Sequence, residues 1–448
     1  MKPLLLLSAL AGAAVAQTDG EIRKILAGRI EIARQSVGMV AGVIDAKGRR
    51  IVAHGALDQD DKRPLAGDTV FEIGSITKVF TSLALADMAQ RGEVALTDPI
   101  AKYLPTQVKV PERGGKAITL QDLSTHLSGL PRLPTNLSPG NPANPYADYS
   151  AENLYQFLSG YTLPRDPGEK WEYSNLGAGL LGHVLALRAG SGYEALVRSR
   201  ITAPLHMQDT AITLSPDMKT RLAVGHNDKL APVPNWDFQA LAGAGALRST
   251  ANDLLTFLAA NLGFVESPLA AAMAAMPKIR RPTAAPALEN ALGWQISHAK
   301  DKEIVWKDGG TFGYSSFIGY CAETKTGVVV LSNAFTTAGV ADIGMHLLVP
   351  EIPVTPAEPP KEHKQISIDP KLLDTYTGRY ELAPGFIITV TREDDHLGAQ
   401  ATNQAKFPIY PETDHSFFAK IAAIDITFEA GALVLRQNGV DTRAKRIE

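Results

Sequence analysis

The sequence predicts an α+β protein with one antiparallel sheet flanked by helices, an all-helical subdomain, and a small all-β domain at the C-terminal end. Two observations support this prediction. Strand-like runs lie near both ends of residues 17–349, with helical and loop-rich sequence between them, so distant segments must share a sheet. Beyond a proline-rich stretch, short β-like runs follow one another, which favours a barrel or half-barrel.

The first residues have the pattern of a secretory signal. Residues 1–3 form a short basic start, an apolar stretch follows, and residues 14–16 read Ala-Val-Ala, as at a cleavage site. We therefore predict that residues 1–16 are a signal peptide. The apolar stretch is too short for a membrane span, and no later stretch approaches the about 20 apolar residues that a span needs. The expected location is periplasmic or secreted.

The elements of the larger domain follow in order along the chain. Residues 20–35 have apolar residues at helical spacing, and residues 40–44 and 50–54 predict two strands joined by a hairpin turn. The helical middle contains a proline-punctuated loop at 131–145, long enough to form a lid or the wall of a substrate groove. Strand patterns and a closing helix then occupy residues 304–306, 316–320, 328–331 and 338–348.

These patterns predict the domain boundaries. Residues 17–349 form the larger domain, residues 350–366 a stiff proline-rich linker, and residues 367–448 the β domain. The formal charge of −3 is close to neutral for 448 residues and gives no indication of nucleic-acid binding. Cys321 is the only cysteine, so no intrachain disulfide forms, and its apolar neighbours predict a buried strand thiol.

A serine and a lysine stand three residues apart at the start of a predicted helix. Ser75 follows Gly74, and Lys78 leads into an apolar run. On a helix, residues i and i+3 share a face, so the Ser75 hydroxyl and the Lys78 amine can meet. A desolvated lysine is able to take the proton of a serine and so activate it as a nucleophile. This pattern favours acyl transfer.

Two similar motifs elsewhere are better explained as turns. Ser297 and Lys300 repeat the serine-lysine spacing, but polar residues and a strand pattern follow them, which indicates a hairpin loop. Residues 325–327 read Lys-Thr-Gly directly before a strand pattern, which indicates the turn of the next hairpin.

Two further motifs accompany Ser75. Tyr173, Ser174 and Asn175 stand at the mouth of a glycine-spaced helix. Taken alone, they are better explained by a packed tyrosine with Ser174 as the helix cap, but two converging lysines would favour the phenolate that a tyrosine base needs. The other motif, residues 307–310, reads Lys-Asp-Gly-Gly after a strand start, and its glycines allow a ligand backbone to approach closely.

Taken in order, these three motifs resemble those of the penicillin-recognising serine hydrolases. The closest resemblance is to the class C β-lactamase family, which also contains D,D-peptidases, D-amino-acid peptidases and esterases. It covers roughly residues 20–348, is supported by the stretches 123–131 and 243–254, and implies a β-lactamase/transpeptidase-like fold. The tail resembles the lipocalin-like β domains that some of these hydrolases carry.

The resemblance implies a role for each catalytic residue. Ser75 would be the acylated nucleophile, and Lys78 would help to remove its proton. Tyr173 would carry that proton to the leaving nitrogen and later activate the deacylating water.

The resemblance also implies how a substrate would be held. Asn175 would hold the substrate amide, while Lys307 would support the phenolate and face a substrate carboxylate. Gly309 would allow the substrate to approach the strand. The backbone N–H groups of Ser75 and Gly310 would form the oxyanion hole.

The chain departs from the family pattern at Asp308, where β-lactamases usually have threonine or serine. A carboxylate there repels a bound substrate carboxylate unless Lys307 compensates for it. Leu133 stands where class C enzymes often have an amide side chain. These departures leave the acyl-transfer residues intact, but they disfavour efficient turnover of penicillins or cephalosporins.

The sequence thus predicts an exported serine hydrolase that forms a covalent acyl-enzyme on amide or lactam bonds, of the β-lactamase or D-Ala-D-Ala carboxypeptidase type. One alternative is a carboxylesterase or D-aminopeptidase on the same fold, and another is a catalytically silent penicillin-binding or scaffold protein. The expected partners are small β-lactams, D-amino-acid peptides or esters, without nucleic acid or a membrane span. No cofactor or metal is expected, since no clustered His/Asp spacing occurs.

Overall fold

The computed structural model describes residues 17–283, 285–336, 338–383, 385–402, 404–421, 424–437 and 440–448. They form two compact units, one ending at Ala357 and the other beginning at Glu358. This boundary falls within the segment 350–366 that the sequence predicts as a linker. The predicted signal peptide, residues 1–16, lies outside the described residues.

The larger unit is rich in helices. Its α-helices are α1 (Asp19–Ala27), α2 (Thr77–Gln90), α3 (Leu120–Ser124), α4 (Ala151–Gly160), α5 (Asn175–Ala189), α6 (Tyr193–Val197), α7 (Pro216–Thr220), α8 (Ala251–Asn261), α9 (Ala270–Ala275) and α10 (Ala341–Leu348). π-helical turns at Gly28–Ile32 and Arg198–Thr202 extend α1 and α6, respectively. The helix predicted over residues 20–35 therefore corresponds to α1 together with the turn Gly28–Ile32. Among the helices described, none is long and apolar enough to cross a membrane.

The larger unit also contains β1 (Gly38–Asp45), β2 (Gly48–Gly55), β3 (Val70–Glu72), β4 (Glu112–Arg113), β5 (Lys116–Ala117), β6 (Arg248–Thr250), β7 (Arg281–Pro282), β8 (Leu288–Asn290), β9 (Gln295–Ala299), β10 (Lys302–Gly310), β11 (Ser315–Cys321) and β12 (Thr326–Ser332). Eight of these strands form one sheet in the order β2-β1-β12-β11-β10-β9-β8-β7, and all neighbours are antiparallel. β1 pairs with β12, so the predicted antiparallel sheet of distant segments is confirmed.

Apolar side chains cover both faces of this sheet. On one face, Ile22 of α1 and Ile343 of α10 pack in a cluster with Val330 of β12. On the other face, Leu83 of α2 and Leu255 of α8 belong to the largest core cluster, which also includes side chains of α5. The sheet is therefore a central layer between helices, and the helical middle of the chain lies on one side of it.

The two motifs that the sequence analysis explained as turns, Ser297 with Lys300 and residues 325–327, lie in hairpins. Ser297 belongs to β9, where its Oγ accepts a hydrogen bond from Trp306 Nε1 at 3.0 Å, and Lys300 stands in the turn before β10 with φ +56°. Lys325 has φ +48° in the turn before β12. Cys321, at the end of β11, is a buried free thiol, as predicted.

The smaller unit is a closed antiparallel barrel of eight strands preceded by one helix. Its elements are α11 (Pro370–Tyr376), β13 (Gly378–Ala383), β14 (Phe386–Glu393), β15 (His396–Ala401), β16 (Phe407–Pro411), β17 (Ser416–Ala419), β18 (Ile424–Glu429), β19 (Ala432–Gln437) and β20 (Val440–Arg446). Leu397, Ile409 and Phe417 lie in its buried core. The predicted all-β domain is confirmed.

Candidate active site

Ser75 lies on a sharp turn between β3 and α2. Gly74 has φ +47°, a conformation that favours glycine, and a Cβ added to it would lie 2.7 Å from both N and O of Gly310. The residues Gly74–Ile76 form a 3₁₀ turn, and α2 begins after it. Ser75 therefore precedes the helix by one short turn, and the glycine allows β10 to approach it.

Lys78 is buried one turn after Ser75. Its Nζ lies 2.9 Å from Ser75 Oγ, 2.9 Å from Asn175 Oδ1 and 2.7 Å from the carbonyl oxygen of Ala244. Burial lowers the pKa of the Lys78 amine, which favours the neutral form. A neutral amine has two N–H bonds and one lone pair, and the oxygens of Asn175 and Ala244 can only accept. In the neutral form, the lone pair of Lys78 consequently faces Ser75.

The phenol of Tyr173 contacts the same serine from another side. Its Oη donates a hydrogen bond to Ser75 Oγ at 2.7 Å. Three cations surround its ring centre: Lys78 Nζ at 4.9 Å, Arg132 Cζ at 5.2 Å and Lys307 Nζ at 5.5 Å. Burial acts to raise the pKa of Tyr173, but the charge of Lys78 in its protonated form and the charge of Lys307 outweigh burial and lower the pKa to about 8. A phenolate is therefore accessible near neutral pH.

The start of α5 fixes the residues around this tyrosine. Ser174 Oγ accepts the N–H of Gly177 at 2.8 Å and donates to the carbonyl oxygen of Pro131 at 2.6 Å. Asn175 Nδ2 donates to Tyr146 Oη at 3.3 Å. Ser174 thus caps the helix, as the simpler explanation of the motif predicts, and the cap also ties the loop after Pro131 to the site.

The end of β10 closes the site on the sheet side. Lys307 is 6% exposed, and its Nζ donates to Asp308 Oδ1 at 2.8 Å, whereas the side chain of Asp308 is 54% exposed. A Cβ on Gly309 would lie 2.1 Å from the carbonyl oxygen of Ile73 and 3.0 Å from Ser75 N. Only glycine therefore allows β10 to lie directly against the Ser75 turn.

Lys307 and Asp308 stabilise each other's charge. Burial acts to lower the pKa of Lys307, but Asp308 and the Tyr173 phenolate raise it above its usual value. Burial acts to raise the pKa of Asp308, but the charge of Lys307 outweighs burial, so the pKa of this carboxyl is lowered. Both groups are charged at neutral pH.

The structure brings most of the predicted site residues to one cavity of about 650 Å³. Its lining includes the following predicted residues: Ser75, Tyr173, Asn175, Lys307, Asp308, Gly309 and Gly310. Lys78 is not in the lining because it lies buried behind Ser75.

Four aromatic residues that the sequence analysis did not identify form part of the cavity lining. They are Tyr146, Trp236, Phe238 and Phe312, here called the aromatic wall. Tyr146 stacks on Phe238 with ring centres 4.7 Å apart, and Trp236 meets Phe312 edge to face at 4.7 Å. These residues come from three loops, with Trp236 and Phe238 in the same one, so no periodic pattern indicates them. Tyr146 alone lies beside a segment, 131–145, that the sequence predicted as a lid or groove wall.

The sequence analysis also did not identify His126 and Arg132 as residues of the site. His126 has φ +60°, its ring centre lies 4.6 Å from that of Tyr173, and its Nδ1 accepts the N–H of Ser174 at 3.2 Å. Burial and the nearby cations hold the pKa of His126 well below its usual value, so it is neutral. Arg132 is exposed and lines the cavity. Both lie in or beside the stretch 123–131, which could have directed attention to them.

One group of possible metal ligands occurs among the described residues, in the smaller unit: His363, Glu412 and Asp425. Lys361 Nζ lies 2.6 Å from Glu412 and 3.8 Å from Asp425. The Nδ1 of His363 is 3.5 Å from Glu412, whereas its Nε2 is 3.4 Å from Asp425. Because an ammonium is already paired there and the carboxylates face different ring nitrogens, we assign no metal to this ion-pair cluster.

Comparison with known proteins identifies the family. The β-lactamase family model matches residues 17–348. The chain belongs to the β-lactamase family. The D-alanyl-D-alanine-carboxypeptidase/endopeptidase AmpH of Escherichia coli K12 is 32% identical over 336 residues, which cover 71% of this chain and 85% of AmpH. Penicillin-binding protein 4* of Bacillus subtilis is 26% identical over 436 residues, 90% of this chain and 94% of its own length. The chain is accordingly a serine hydrolase of the β-lactamase type.

Solved structures of this family share the fold. A β-lactamase/D-alanine carboxypeptidase from Yersinia pestis, complexed with citrate, is 27% identical with a TM-score of 0.61, and the match covers 75% of this chain and 99% of that one. A class C β-lactamase from Rhodobacter sphaeroides has the same coverage, 24% identity and a TM-score of 0.63. The predicted β-lactamase/transpeptidase-like fold is confirmed. Residues 362–434 match a domain of unknown function, DUF3471.

Proposed function

We propose that this β-lactamase-family protein is an exported hydrolase that cleaves amide or lactam bonds through an acyl-enzyme on Ser75, in the manner of a β-lactamase or a D-Ala-D-Ala carboxypeptidase. One observation carries the proposal. Ser75 Oγ lies 2.9 Å from Lys78 Nζ and 2.7 Å from Tyr173 Oη, so two groups able to move its proton contact it at once.

The chemistry follows from these contacts. Either the neutral amine of Lys78 or the phenolate of Tyr173 takes the Ser75 proton while Oγ attacks the carbonyl carbon. The negative charge then develops on the carbonyl oxygen, beside the N–H groups of Ser75 and Gly310. Tyr173 gives the proton to the leaving nitrogen as the C–N bond breaks. In deacylation, the same groups take a proton from water, which attacks the ester carbonyl. The bond between the carbonyl carbon and Ser75 Oγ then breaks, and Oγ takes that proton back.

The relatives support the same reaction type. AmpH is named a D-alanyl-D-alanine-carboxypeptidase/endopeptidase, and the Bacillus subtilis relative is named a penicillin-binding protein. Both substrates present a carbonyl carbon next to a nitrogen, and both fit a family that forms an ester with serine. We extend this substrate class, D-amino-acid peptides and β-lactams, to the present chain.

A carboxylesterase or D-aminopeptidase is the second candidate, and Asp308 favours it. Its carboxylate lines the cavity, is half exposed and neutralises Lys307. A neutral ester avoids the repulsion that this carboxylate exerts on an anionic substrate, and an amino group would be attracted to it.

Intact mass spectrometry tests the nucleophile. The protein is expressed with residues 1–16 and incubated with a labelled penicillin or, separately, a short p-nitrophenyl ester. We expect a covalent adduct that is absent in Ser75→Ala and present in the matched control Ser297→Ala. The same spectrum tests export, because the mature chain should begin at Gln17.

An adduct that persists in Ser75→Ala, or that maps to Ser297, would refute the assignment of the nucleophile. An adduct with the ester alone would favour the second candidate. Failure of the wild-type protein to form any adduct would leave only the binding or scaffold role.

A further inference from the structure

The charge of Lys307 is already neutralised within the protein. Its Nζ is 2.8 Å from Asp308 Oδ1, and the lysine is 6% exposed while the aspartate is 54% exposed. An anionic group that approached Lys307 would meet the more exposed carboxylate of Asp308 first. Lys307 is therefore poorly suited to bind a carboxylate of the substrate.

Lys78 is not available to an anion either. It is buried, and its Nζ already contacts three oxygen atoms of Ser75, Asn175 and Ala244. A substrate carboxylate could reach it only by displacing the serine that the reaction requires.

Arg132 is the remaining cation of the cavity lining and differs from both lysines. It is exposed, and no carboxylate among the described residues forms an ion pair with it, in contrast to Lys307. Its Cζ lies 5.2 Å from the ring centre of Tyr173, so its charge is close to the reacting serine. The backbone of Arg132 is fixed, because its carbonyl oxygen accepts the N–H of Asn175 at 3.0 Å.

We propose that Arg132 determines specificity by binding a carboxylate of the substrate, while Asp308 prevents Lys307 from doing so. This inference rests on the proposed function of Ser75. A guanidinium presents two parallel N–H donors to a carboxylate, which gives a directed contact that a shielded ammonium does not. Part of the remaining lining suits an apolar group, because the aromatic wall and the exposed side chain of Leu133 line the same cavity. The preferred substrate combines an apolar or aromatic acyl group with one carboxylate.

The test uses the full chain and two matched pairs of aromatic acyl thioesters. Each pair consists of a thioester with one carboxylate and the otherwise identical thioester with a carboxamide in its place. In the first pair this group is on the leaving thiol, and in the second pair it is on the acyl group. The measured quantity is the ratio of kcat/KM for carboxylate over carboxamide. A change in the basicity of Tyr173 affects both members of a pair alike and cancels in this ratio.

We expect the wild-type ratio to be about tenfold or more in the pair whose carboxylate reaches Arg132. Arg132→Leu should bring the ratio to about one, and Arg132→Lys should restore part of it, since the charge returns without the fork of donors. Lys170→Leu is the matched control, because it removes one exposed positive charge outside the cavity lining and should leave the ratio unchanged. Asp308→Asn should raise the ratio, also when it is combined with Arg132→Leu.

A wild-type ratio near one in both pairs, or a ratio that survives Arg132→Leu, would overturn the inference. A ratio that falls equally in Lys170→Leu would show only a general effect of net charge and would overturn it too. Intact mass after reaction with the carboxamide thioesters separates the two proposals. Without a Ser75 adduct both fail, whereas an adduct without the expected ratios refutes the role of Arg132 alone.

Discussion

Tyr173 connects the charges of the site to its chemistry, and its pKa of about 8 predicts a pH profile. If the phenolate accepts the Ser75 proton, kcat/KM for a neutral ester should rise with pH and level off above about pH 8. Lys307→Ala removes one of the cations that lower this pKa, so the rise should move to higher pH. The measurement is kcat/KM from pH 6 to 10, with Lys170→Ala as the control. A profile that Lys307→Ala leaves in place would mean that Tyr173 is not the group that titrates.

At the residue scale, the sequence revealed those features that depend on local spacing. Ser75 and Lys78 are one turn apart, so their contact could be predicted from the helix period alone. The basic side chains around Tyr173 come from separate parts of the chain. Only the family resemblance predicted that Lys307 lies beside Tyr173. Arg132 was missed because its position depends on the path of the loop after Pro131, which no periodicity encodes.

At the element scale, the start of α8 shows how burial changes a local signal. Ser249 or Thr250 followed by Asp253 is a pattern typical of a helix start, and Thr250 Oγ1 does accept the N–H of Asp253 at 3.1 Å. The Asp253 carboxylate does not accept the backbone N–H of Thr250, as it would in a capping box. It accepts instead from Asp209 N at 2.9 Å and from Thr210 Oγ1 at 2.8 Å. Local sequence therefore predicts the cap, but the partner of Asp253 is set by a segment about 40 residues away along the chain.

The buried carboxyl of Asp253 predicts a pH dependence of stability. Burial raises its pKa to about 6, above the unfolded value, so the folded state holds this proton more tightly. The contribution of Asp253 to the free energy of unfolding should therefore fall as pH rises from about 4 to 6, by up to about 3 kcal/mol. Asp253→Asn should remove this contribution, and Asp60→Asn, at an exposed site, should not. Urea unfolding at pH 4.5 and 7 measures the difference, and equal pH slopes in Asp253→Asn and wild type would contradict it.

The turn at Ser75 shows a second limit of prediction at this scale. The sequence placed the serine at the head of a helix, whereas α2 begins at Thr77 after a 3₁₀ turn. The apolar pattern predicts the helix correctly, but its first turn is shaped by Gly74 lying against Gly310 of β10. Such a contact joins residues more than 200 positions apart and has no local signature.

At the scale of the whole molecule, the proline-rich segment is ordered at both ends. Ile352 and Val354 pack against the core cluster of α1 and α10, and Thr355 N donates to Asp342 Oδ2 at 2.9 Å. Further along, Ile366 N donates to the carbonyl oxygen of Pro411 at 2.9 Å in the smaller unit. Proline spacing predicts that the segment is stiff, but it does not tell which unit each part joins, because those contacts depend on packing.

These contacts predict where the chain can be divided. A chain ending at Ala357 keeps Ile352 and Val354 and should unfold in one cooperative transition and still form the Ser75 adduct. A chain ending at Val349 exposes the apolar surface those residues cover, so its free energy of unfolding should be lower by about 1–3 kcal/mol. Urea unfolding and intact mass of the two truncated chains, beside the full chain, measure both effects. Loss of the cooperative transition in the chain ending at Ala357 would contradict the prediction and show that the barrel is needed for the larger unit to fold.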